Sequence, residues 1–87
     1  MREITYAAKQ VKTDTGGMLA LTYSIIVDGG DDGPESYGVK IDELNGDTHA
    51  MIPGLTVSRE RIEDLMDKLT RNTVTPTGLM DVLADWL

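Results

Sequence analysis

Carboxylates are the only side chains in this chain grouped closely enough to suggest chemistry. Asp28-Gly29-Gly30-Asp31-Asp32-Gly33 resembles the start of a calcium loop. An EF-hand needs oxygen ligands at positions 1, 3 and 5, glycine at 6 and glutamate at 12. Counted from Asp28, the third position is Gly30 and the twelfth is Val39, and the flanks read as strands. The segment therefore reads as a solvated acidic turn, with at most a weak, non-specific cation site among Asp28, Asp31, Asp32 and Glu35. His49 is the sole histidine. A hydrolytic triad would need it between a serine and an orienting carboxylate. Ser24, Ser36 and Ser58 are available, but none sits in a nucleophile motif. Gly29, Gly30 and Gly33 lack the Lys-Ser/Thr of a phosphate-binding loop. No catalytic residue, metal site or cofactor is assigned from the sequence, and the chain is expected not to be an enzyme.

The distribution of acids is the stronger lead. Fifteen acids oppose eight bases, for a formal net charge of −7. Between Lys12 and Lys40 there is no basic residue. From residue 28 to 47, Asp28, Asp31, Asp32, Glu35, Asp42, Glu43 and Asp47 stand against Lys40 alone. Direct binding to nucleic acid requires phosphate neutralisation, so this balance argues against it. Carboxylates spaced like phosphates would instead suit a protein partner with a basic surface, including a basic nucleic-acid-binding groove. These seven acids are the expected partner-binding residues. The competing view is that each merely solvates its turn.

Composition bounds the rest. Eighty-seven residues with 40% hydrophobic and 26% charged content describe an ordinary small domain, expected to bury roughly 60–65% of its unfolded surface. With no cysteine there is no disulfide or thiolate ligand, which fits a reducing cytoplasm. No apolar run reaches the roughly 18–20 residues of a membrane span, and the N-terminus lacks the apolar stretch of a signal peptide. A cytoplasmic setting without membrane contact is expected.

The acids need a scaffold, and the periodicity predicts one. Residues 3–12 alternate loosely, with Ile4, Tyr6 and Ala8 on one side. Residues 18–28 form the clearest strand. Leu19, Leu21, Tyr23, Ile25 and Val27 share one face at period two. The other face (Met18, Ala20, Thr22, Ser24, Ile26) is only half polar, which predicts partial cover on both sides. Residues 36–44 alternate again, with Tyr37, Val39 and Ile41 inward. Asn45-Gly46 carries the signal of a type I′ hairpin turn. A fourth strand follows from Thr48 to Ile52, stopped by Pro53-Gly54.

Two amphipathic helices come next. Ile62, Leu65, Met66 and Leu69 make one apolar stripe; Leu79, Val82, Leu83, Trp86 and Leu87 make the other. Ser58 is an N-cap and Asn72 a C-terminal stop. Asp64–Lys68 and Asp67–Arg71 are i,i+4 pairs, and Pro76 occupies the first position of helix two. The expected fold is α+β. Residues 1–54 form a four-stranded antiparallel meander, and 55–87 a helical hairpin packed on one face, in a single domain.

The C-terminal half resembles a family of short proteins from clostridia and related Firmicutes, a domain of unknown function. The resemblance lies in Ser36-Tyr37-Gly38-Val39-Lys40-Ile41, in Ser58 to Asn72, and in Val74-Thr75-Pro76 with Leu79 to Leu87. It covers roughly residues 36–87, less clearly the N-terminal hairpin, and brings no catalytic residues. It implies a bacterial or mobile-element origin. The expected function is a small interaction module, in its concrete form a phage or mobile-element inhibitor resembling anti-CRISPR proteins. The alternatives are a housekeeping regulatory or assembly protein acting as a homodimer, and a small enzyme using His49.

Overall fold

A computed structural model describes residues 1–12, 14–30, 33–44 and 48–86. Four strands come first: β1 (Arg2–Lys12), β2 (Met18–Asp28), β3 (Ser36–Glu43) and β4 (His49–Thr56). They form one antiparallel sheet in the order β1-β2-β3-β4, a meander. Helix α1 (Arg59–Arg71) follows, then a single 3₁₀ turn (Pro76–Gly78) and helix α2 (Leu79–Trp86). The fold is α+β, as the segregation of strand and helix patterns predicts.

The core lies between one sheet face and the helices. Leu21, Tyr23, Ile25 and Val27 of β2 and Val39 and Ile41 of β3 meet Ile62, Leu65, Met66 and Leu69 of α1, with Leu79 and Leu83 of α2. Helix α1 touches all four strands, and α2 packs against α1. The side chain of Ser58 accepts from the Arg61 amide at 3.2 Å and starts α1. Asp67–Arg71 pairs at 2.9 Å, and Arg59–Glu63 at 3.2 Å. Asp64 and Lys68, the other expected pair, do not close to ion-pair distance.

Three local readings need correction. First, β1 carries an irregularity between Thr5 and Ala7. An extra residue reverses the alternation, so Ile4 (opposite Ile25) faces the helices while Ala8 (opposite Thr22) faces away. Tyr6, at the irregularity, is 40% exposed rather than inward. Second, β4 does not stop at Pro53-Gly54. It runs on to Thr56 through two extra residues, since Tyr37 pairs with Thr56 and Val39 with Ile52. Gly38 makes this possible: a Cβ there would lie 2.2 Å from the Ile52 carbonyl oxygen. Third, helix two opens with the 3₁₀ turn, and α2 proper starts at Leu79. Asn72 does end α1, but the left-handed residue is Thr73 (φ 50°). The Asn45-Gly46 turn and Leu87 lie outside the described residues.

Candidate interaction surfaces

Four of the seven acids fall among the described residues, at or beside the ends of β3 and of its neighbour β2. Asp28 ends β2 opposite Ser36, and Glu35 precedes β3. Asp42 and Glu43 end β3, where the Glu43 amide donates to the Thr48 carbonyl at 3.1 Å. Asp31, Asp32 and Asp47 lie outside the described residues. Because β3 is an inner strand, the four described acids do not line a sheet edge. Asp28 and Glu35 lie at one end of β3 and Asp42 and Glu43 at the other, some 23 Å apart at the rise of an extended strand.

Their partners come from far along the chain. Glu35 accepts from the Arg2 guanidinium. Lys40 lies 3.3 Å from Glu3 and 3.6 Å from Asp42. Its hydrogen bond to Glu3, then the charge of Asp42, raise the Lys40 pKa above the ordinary lysine value. Glu35 and Asp42 are thus compensated by the protein's own cations, whereas Asp28 and Glu43 have none at ion-pair distance among the described residues.

The Glu3–Lys40 bridge shapes the sheet face turned away from the helices. Glu3 is opposite Ile26 and Lys40 opposite Ser24, so the pair spans β2 above both side chains. Ile26 and Ser24 are buried, although no helix covers this face. Strand β2 is therefore covered on both sides, as its mixed composition predicted. Among the described residues the Ser24 hydroxyl has no hydrogen-bond partner. His49 stands opposite Asp42 on that same face and is exposed. Ser24, the nearest serine in register, is closed to any substrate.

The helices carry further acids outside the expected seven. Glu60 and Asp64 on α1, and Asp81 and Asp85 on α2, are exposed and one helical turn apart in each pair. Among the described residues none of the four has a cation at ion-pair distance. Arg61 sits over the Trp86 ring, 4.5 Å from its centroid, and joins the two helices there. The i,i+4 spacing of these acids was the available signal.

Two other surfaces stand out. A cleft at the start of α1 has an apolar floor of Ile4, Ile25, Val27, Tyr37 and Ile62, rimmed by Arg2, its partner Glu35, and Arg59. Among the described residues the outer edge of β1 has no neighbouring strand, and residues 2–6 are exposed throughout. Among the described residues, no group of three or more His, Cys, Asp or Glu could hold a metal ion. No helix among them is long and apolar enough to cross a membrane.

A meander roofed on one face by a helical hairpin, with carboxylates at both ends of an inner strand, defines a small acidic α+β protein. The chain belongs to a family of unknown function (DUF6514), whose model matches residues 2–87. The match includes the β1–β2 hairpin, so the family extends over the segment where the sequence resemblance was weaker. No curated protein and no solved structure matches the chain.

Proposed function

We propose that the protein is a non-enzymatic interaction module that engages a partner with a basic surface. The supporting observation is the direction of its uncompensated charge. Asp28, Glu43, Glu60, Asp64, Asp81 and Asp85 lack internal counter-ions among the described residues, and the four on the helices are exposed. Such groups speed encounter with a cationic protein and lose this effect as salt rises. The concrete form is an inhibitor, resembling those of phage and mobile elements, that occupies a nucleic-acid-binding groove. The cytoplasm is its setting, inferred from the cysteine-free sequence, and clostridia and related Firmicutes its source, inferred from the resemblance.

The test is displacement of labelled duplex DNA from a panel of bacterial nucleases. Displacement that weakens steeply between 50 and 300 mM salt (on the order of tenfold or more) is the expected result. A variant with Glu60→Gln, Asp64→Asn, Asp81→Asn and Asp85→Asn should lose it. A second variant, Asp28→Asn, Glu35→Gln, Asp42→Asn and Glu43→Gln, separates the helical acids from those flanking β3. Displacement unchanged in both variants would overturn the reading.

A further inference from the structure

We infer that the free edge of β1 is a self-pairing surface, and that two copies of this chain join there antiparallel into one continuous sheet.

The sheet has two edges, β1 and β4. The β4 edge is poorly suited to accept a strand. It contains Pro53, which has no amide proton, and the two extra residues opposite Gly38 interrupt its register. The β1 edge is eleven residues long and contains no proline. Apolar surface is exposed along it at Ile4 (44%) and Tyr6 (40%). Edges of this kind are templates for another strand.

The occupant follows from the strand's own pattern. Arg2, Ile4, Ala7, Lys9 and Val11 face the helices; Glu3, Thr5, Ala8, Gln10 and Lys12 face away. Opposed residues in an antiparallel pair share a face, and a two-fold dimer makes each contact twice. Few registers satisfy both conditions. One sets Glu3 against Lys12 of the second copy, Ile4 against Val11 and Thr5 against Gln10: an ion pair, an apolar pair and a polar pair, each on a matched face. Shifted by two residues in one direction, Ile4 meets Lys9 and Glu3 meets Gln10. Shifted further, Arg2 meets Lys9 and the like charges repel. Because both copies carry the same irregularity at Thr5–Ala7, it falls symmetrically about the axis. Both α1 helices then lie on the same side of the joined sheet.

Sedimentation velocity of the full chain from about 1 µM to 1 mM is the first arm of the test. A reversible shift from monomer to dimer is expected. Lys12→Glu, which sets carboxylate against Glu3, should weaken the dimer at least tenfold, and adding Glu3→Lys should restore it. Circular dichroism checks that each variant is folded. The natural chain has no cysteine, so a second arm is clean. Ile4→Cys with Val11→Cys should give a disulfide-linked dimer on mild oxidation, and Ile4→Cys with Lys9→Cys should give far less. A monomer at 1 mM, or equal cross-linking in both cysteine pairs, would overturn the inference. So would a folded Lys12→Glu variant that dimerises as well as the natural chain.

Discussion

Tyr23 and Lys40 give the protein a predictable response to alkali. Tyr23 is fully buried, its hydroxyl donates to the Val74 carbonyl at 2.9 Å, and burial raises its pKa above the ordinary tyrosine value. Lys40 is raised as well, by Glu3 and Asp42. Both groups keep their protons in the folded state at a pH where the unfolded chain has begun to lose them. Stability should therefore hold up to about pH 10 and fall as pH climbs further. Urea titrations between pH 8 and 11 would read this directly. Tyr23→Phe should lose about 1 kcal/mol at neutral pH with its hydrogen bond, and should then show a shallower alkaline decline. Ser24 makes the opposite prediction. Its hydroxyl is buried without a partner, so Ser24→Ala should leave stability unchanged or raise it by up to ~1 kcal/mol in the same assay. Gly38 tolerates no such exchange. A methyl group 2.2 Å from the Ile52 carbonyl oxygen forces the backbone apart, and Gly38→Ala should cost about 2–4 kcal/mol, a clash in a packed region. Residue types hinted at none of these three behaviours, because each depends on a neighbour that folding brings in from another strand or from the loop after α1.

Among the elements, legibility tracks how local the determinant is. The β2 strand, the α1 stripe and its Ser58 cap were readable because their signals lie within one window of sequence. The face assignment of β1 was not, since one irregularity at Thr5–Ala7 exchanges the two faces and leaves no compositional mark. The end of β4 was misread for a related reason. Pro53-Gly54 signals a stop, and only the bare Cα of Gly38 on the neighbouring strand lets the ladder resume at Thr56. The candidate acids show the same division. Their clustering between residues 28 and 47 could be read, but the Arg2 that neutralises Glu35 could not, because the two are 33 residues apart. Element junctions also carry their own test. Lys9 of β1 reaches the C-terminus of α1 and donates to the Thr70 carbonyl at 2.7 Å and the Thr73 hydroxyl at 2.8 Å. Lys9→Met keeps the alkyl chain and removes both bonds; a loss of about 1–2 kcal/mol is expected, read by thermal melting. Trp86→Ala removes a partly buried ring from the core margin and its contact with Arg61. It should cost about 2–3 kcal/mol, below a fully buried tryptophan.

On the scale of the molecule, the principal extents of 49 × 24 × 17 Å describe a slab rather than a sphere. Its helices lie on one face of the sheet, and on the opposite face the Glu3–Lys40 pair crosses β2 over Ser24 and Ile26. At neutral pH, salt should act on partner binding more than on the fold. The ion pairs at Arg2, Arg59 and Arg71 are exposed and contribute at most about 1 kcal/mol each. Raising sodium chloride to 0.5 M should therefore shift the urea midpoint only slightly. The interrupted β4 edge carries a further consequence at this scale. Strand addition through β1 leaves Pro53 and its bulge at both outer margins, where a third chain finds no regular ladder to extend. In the inferred dimer, growth would end at a closed pair, and a long sticky strand would escape the runaway stacking that leads to fibrils.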